Sequence, residues 1–262
     1  MSQSFLSKVK RKKADKPLVK RDWRAIVLFP LWVLVAFFAA QAIVAGGVWI
    51  AREVGVDFAT IGSTAVIQAA LSATVYVVAF ILTFGVPYVA MKRRVTLETL
   101  GLTRLMSWTD IGLAPLAYVA YVIVLLTVLA VVTRLFPGFE GDQAQDVGFK
   151  ALTNQTGYIV AFATLVVLAP IAEEVLFRGY LYGKMRRHVP LWAAALATSI
   201  LFAAIHGQWN VAVDTFVLSL ALCGLRELTG SIWAGILVHM IKNGIAFYIL
   251  FISPLVAPTV GG

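Results

Sequence analysis

Charge is what this sequence has least of. Only 13% of its 262 residues are Asp, Glu, Lys or Arg, where a soluble domain carries about 25%. The shortage is uneven: long uncharged runs alternate with short charged ones, the pattern of repeated membrane spans. Cysteine is almost missing. Cys223 stands alone, which excludes an intrachain disulfide and a cysteine-rich zinc site, and it reads as a small inert residue in a helix. Acidic residues are the minority charge, 13 against 22 basic ones. The basic excess does not point to nucleic acid, because Lys and Arg sit mostly between apolar runs, nine of them in the first 24 residues. No soluble domain is left to present a groove. Such a distribution sets membrane orientation and attracts anionic lipid at the cytoplasmic face.

What is present is an all-α, polytopic transmembrane bundle of about seven spans, with six to eight open. Residues 1–24 read as a basic cytoplasmic tail. The run from Ala25 to Ala51 is far longer than the apolar core of about 7–15 residues in a secretory signal, and it is expected to be the first span. Trp23, Trp32 and Trp49 are candidate interfacial anchors. Further spans are expected within Ser63–Met91, at about Ile111–Val132, from near Tyr158 past Arg178, from Pro190 to His206, over the rather short Val211–Leu225, and over Ser231–Phe251. The domain reading is 25–157 for N-terminal helices and loops, 158–252 for a C-terminal core, and 253–262 for a tail.

Loop charges orient the set. Lys92, Arg93, Arg94 and Arg104 make the second loop basic, and Lys184, Arg186 and Arg187 the fourth. The third carries Glu140, Asp142 and Asp146. The N-terminus and the second and fourth loops are therefore expected in the cytoplasm. The expected location is a membrane, most simply a bacterial plasma membrane.

Against this apolar background, buried charge demands a reason, since an ionised group at mid-membrane costs about 2.5–3.5 kcal/mol on insertion scales. Glu173 and Glu174 are adjacent in the fourth span. Arg178 follows Glu174 by four residues, on the same helix face and in the favourable order, so it can neutralise Glu174. Glu173 points about 100° away and has no comparable partner in its own helix. A carboxylate desolvated without a partner suits general acid or base work; interhelical glue is the structural alternative. Of three histidines, His188 reads as a solvated loop residue. His206 ends one span, and His239 shares a helix face with Asn243. Counted along straight helices from the basic ends, Glu173, His206, His239 and Asn243 lie about 18–24 Å deep, near one level. Asp214 and Lys242 fall at similar depths and are expected to form an ion pair between the sixth and seventh spans.

The series Glu173-Glu174-x-x-x-Arg178, Phe202-x-x-x-His206 and His239-x-x-x-Asn243 resembles the motifs of the CAAX protease and bacteriocin-processing family of intramembrane endopeptidases, over about residues 158–250. The resemblance implies hydrolysis of a peptide bond in a membrane-associated or lipid-modified polypeptide. Glu173 would activate water and His206 would help hold it. His239 and Asn243 would stabilise the oxyanion, Glu174 and Arg178 would orient the site, and Phe202 would pack near it. Members have often been described as metalloproteases, and Glu173, His206 and His239 are the candidate zinc ligands. The usual His-Glu-x-x-His helix is missing, which favours a route without cofactor. Two other classes stay open: a non-catalytic immunity or scaffold protein, and a transporter with a proton relay, against which the lack of an evident repeat argues.

Overall fold

The computed structural model describes residues 22–141, 149, 152 and 154–253. Most of the expected basic tail, Asp142, Asp146 and residues 254–262 lie outside the described residues. Seven principal helices stand where the apolar runs place them: α1 Ala25–Glu53, α2 Thr64–Met91, α3 Trp108–Leu135, α4 Gln155–Met185, α5 Leu191–Ala204, α6 Trp209–Thr229 and α7 Trp233–Ile252. Short helices Phe58–Ile61 and Leu97–Leu100 lie in the connections. No strand occurs among the described residues. Five helices, α1 to α4 and α7, are long and apolar enough to cross a membrane. α5 has 14 residues, about 21 Å of helix, short of a hydrocarbon core of about 30 Å. α6 has the length but not the apolar composition.

Local chemistry sets several boundaries. Ser107 opens α3 through a reciprocal capping box with Asp110, which satisfies two otherwise orphaned donors. Gly207, at φ 72°, breaks the chain between α5 and α6, a conformation glycine adopts without steric cost. His206 therefore sits in the turn after α5 instead of on the helix, as the sequence reading had it.

α4 occupies the centre and packs against α1, α2, α5, α6 and α7. Its interior widens into π-helical turns at Ala163–Leu168 and Val175–Tyr182, on either side of the α-helical Ala169–Glu174. Such i→i+5 turns cluster at functional sites. One apolar core joins α1, α2, α4 and α5 around Phe177, Tyr182 and Phe202. A second joins α3, α6 and α7 around Leu218, Leu222 and Val238.

Two side chains depart from expectation. Trp23 and Trp49 are exposed as anchors should be, but Trp32 turns inward and its indole N–H donates to the Thr83 carbonyl at 3.2 Å. It ties α1 to α2, because a buried indole donor needs a partner. His188 is half-buried, its ring 5.7 Å from that of Phe29, so it is not simply solvated.

Candidate active site

The two adjacent glutamates of α4 live in different surroundings. Glu174 is fully buried and accepts from Arg178 Nη1 at 2.8 Å, the i,i+4 pair the spacing predicts. Arg178 is also fully buried, with its guanidinium carbon 4.2 Å from the centre of the Phe202 ring. Charge pairing and the ring face together offset its desolvation. Gly235 lets α7 approach closely here: a Cβ on it would stand 3.2 Å from Glu174 Oε2.

Glu173 keeps 16% of its side-chain surface exposed. Its partner comes from outside the motif series: the Tyr76 hydroxyl of α2 donates to Glu173 Oε1 at 2.7 Å. Sequence reasoning missed Tyr76, and the only signal for it was a tyrosine within an otherwise apolar span. The other oxygen, Oε2, lies 3.7 Å from His239 Nε2. That is too long for a direct hydrogen bond.

The histidine tautomers follow from their partners. His206 Nδ1 lies 2.7 Å from the Phe202 carbonyl. A carbonyl can only accept, so Nδ1 carries the hydrogen and Nε2 of the neutral ring is an acceptor. His239 Nδ1 lies 3.1 Å from Glu174 Oε1, an oxygen already engaged with Arg178. By the same logic His239 Nδ1 donates, and Nε2 of its neutral ring also accepts. A neutral His239 held this way accepts at Nε2, and only the doubly protonated ring can donate there. Phe202 packs edge-on against both imidazoles, with centroids 4.9 Å from His206 and 5.9 Å from His239.

Asn243 has a backbone reason for its place. The π turn directs the Ala169 N–H to the Thr164 carbonyl, so it no longer serves Leu165. The next donor in the π register would be residue 170, which is proline and has none. Asn243 Nδ2 donates to the orphaned Leu165 carbonyl at 2.9 Å, tying α7 to α4. An amide carries two N–H bonds, so one remains free of this tie.

Glu173, His206, His239 and Asn243 line one cavity of about 460 Å³, together with Tyr76 and Lys242. Lys242 Nζ lies 3.1 Å from Asp214 Oδ2, the cross-helix pair expected, and the Tyr121 hydroxyl of α3 donates to the same carboxylate. Among the described residues no three His, Cys, Asp or Glu are arranged to hold a metal ion. The metalloprotease reading is unsupported.

A family model described as Rce1-like, type II CAAX prenyl endopeptidase Rce1-like, matches residues 155–245. That segment holds the whole motif series and excludes Tyr76. An Escherichia coli protein described as an uncharacterized 24.3 kDa protein is 33% identical over 87 residues, 31% of this chain. The match spans 40% of that relative's length. No solved structure matches.

Proposed function

We propose, for an integral membrane protein of the CAAX protease family whose residues 155–245 match its Rce1-like model, that the α4–α7 cavity hydrolyses a peptide bond in a membrane-associated or lipid-modified polypeptide. The supporting observation is that one acid, two imidazoles and one amide from α4, α7 and the α5–α6 turn line a single cavity inside a helical bundle.

In this reading a water donates one hydrogen to Glu173 Oε2 and the other to the acceptor Nε2 of His206, with its lone pair towards the scissile carbonyl. Glu173 takes its proton as the water attacks, while Tyr76 holds the other carboxylate oxygen and fixes the rotamer. General base assistance of this kind contributes about 10²–10⁴-fold. The free N–H of Asn243 donates to the developing oxyanion. His239 joins it once Nε2 has gained a proton, and the proton taken up from water by Glu173 is the natural source; that proton then passes to the amide nitrogen as the C–N bond breaks, which releases the amine and the new carboxyl end and returns Glu173 and His239 to their starting forms. Glu174 and Arg178 hold His239 in orientation through Nδ1. Substrate enters from the bilayer, so peptides that carry a lipid or an apolar helix are favoured over soluble ones.

The test is the purified full chain in liposomes with a peptide carrying a farnesylated cysteine three residues from its C-terminus. The wild type should cleave it, and Glu173→Gln should lose about 10²-fold or more with an unchanged melting temperature. A Glu173→Gln variant that retains full biological activity would move the protein to the scaffold or immunity class.

A further inference from the structure

A second concavity, of about 230 Å³, opens at the basic end of the bundle, between the ends of α4 and α6 and the Leu97–Leu100 helix. It is lined by three arginines, and only one of them is matched by a carboxylate. Arg186 grips Glu227 through Nε at 2.5 Å and Nη2 at 3.3 Å, and the Tyr182 hydroxyl donates to the same carboxylate. Arg187 holds only the Thr99 hydroxyl, at 2.8 Å. Arg226 reaches only the backbone carbonyls of Glu98 and Thr99, both at 3.4 Å, and its Nε is buried without a partner. Glu98, the remaining acid on the lining, forms no ion pair with either arginine among the described residues.

The backbone makes room for this arrangement. A Cβ on Gly101 would lie 2.5 Å from the Arg226 guanidinium carbon. One on Gly183 would lie 2.4 Å from the Thr99 carbonyl. Both glycines therefore allow the short helix to close onto α4 and α6, with the Arg226 guanidinium against Gly101. Two guanidiniums line one concavity without an ion pair of their own, the nearby Glu227 carboxylate being gripped by Arg186, and they match the planar oxygens of a phosphate group. The setting favours a lipid source: Leu97 and Leu228, neighbours in sequence of the lining Glu98 and Glu227, are 62% and 81% exposed and offer an apolar rim for acyl chains.

We infer that this pocket binds the phosphate of an anionic phospholipid headgroup through Arg187 and Arg226, apart from the cavity around Glu173 and independently of any peptidase activity. Basic pockets between transmembrane helices take such headgroups. The delipidated full chain in detergent is titrated with dioctanoyl phosphatidylglycerol, dioctanoyl phosphatidylcholine or sodium phosphate and followed by native mass spectrometry. Phosphatidylglycerol should bind in preference to phosphatidylcholine. Arg187→Gln and Arg226→Gln should each weaken it at least tenfold, while Arg93→Gln, on the same end but off the pocket, leaves it unchanged. Should Arg226→Gln fail to fold, Arg187→Gln carries the test, since that side chain holds a single hydroxyl. Equal affinity in wild type and Arg187→Gln overturns the site. Arginine-dependent capture of sodium phosphate without capture of lipid overturns the lipid source and assigns the pocket to a soluble phosphate.

Discussion

α3 and α4 are both long apolar helices, yet they are built to opposite ends. In the most apolar stretch of α3, 6% of positions are buried; in that of α4, 39% are. α3 is an uninterrupted helix that shows leucine and valine to its surroundings on most sides. α4 is broken into alternating α and π turns, carries two glutamates and an arginine, and touches five of the other principal helices. Hydrophobicity alone places both in the membrane. What separates them is that α4 spends its interior on polar groups whose partners must all be supplied by protein, because lipid supplies none.

If that contrast is right, the largest single loss comes from unpairing charge in α4. Arg178→Met leaves Glu174 buried without its cation, and breaking such a pair by removing one partner costs about 3–5 kcal/mol. Chemical denaturation in detergent should show this loss, and Glu174→Gln with Arg178→Met together should recover part of it. Next comes Asn243→Ala. In the role proposed for Asn243, removing an oxyanion donor costs about 2.7–4 kcal/mol of transition-state stabilisation where it has been measured, so activity should fall about 10²–10³-fold. Because the same amide caps the Leu165 carbonyl, stability should fall too, by about 1–3 kcal/mol for an acceptor left unsatisfied. Replacing Pro170 by Ala separates the two effects: it restores a backbone donor opposite Leu165 and should reduce the stability loss of Asn243→Ala without restoring its activity.

The same contrast explains what the sequence shows and what it hides. The five long apolar helices were legible, because a run of 17–25 apolar residues has few other uses; α5 and α6 were read from the shorter runs Pro190–His206 and Val211–Leu225. The Glu174–Arg178 pair was legible because it is local, four residues apart on one helix. The Asp214–Lys242 pair was found by counting depth, since two opposite charges at one level in lipid have little choice but to meet. Tyr76 was not legible: a tyrosine in an apolar span reads as packing until the helix it faces is known. Nor was the Leu165–Asn243 tie, which depends on a π turn that no periodicity announces. The turn at Gly207, which takes His206 off α5, was signalled only by the glycine itself.

The smaller effects ask whether the N-terminal helices take any part in the site. Tyr76→Phe removes a hydroxyl donating to Glu173, and a hydrogen bond to a charged group is worth about 1.5–3 kcal/mol. If Tyr76 positions the base, kcat should fall about 10-fold or more while KM holds. A purely structural tyrosine would lower stability and leave kcat in place. Leu116→Ala on α3 is the control at the far end of the scale. Its side chain is 69% exposed, and Ala favours helix at least as well as Leu. A change within about 0.5 kcal/mol in stability is expected, with activity in liposomes unaltered. A large loss there would mean that α3 presses on a partner, such as a second copy or the substrate itself, and the division between a lipid-facing wall and a working core would have to be redrawn along that face.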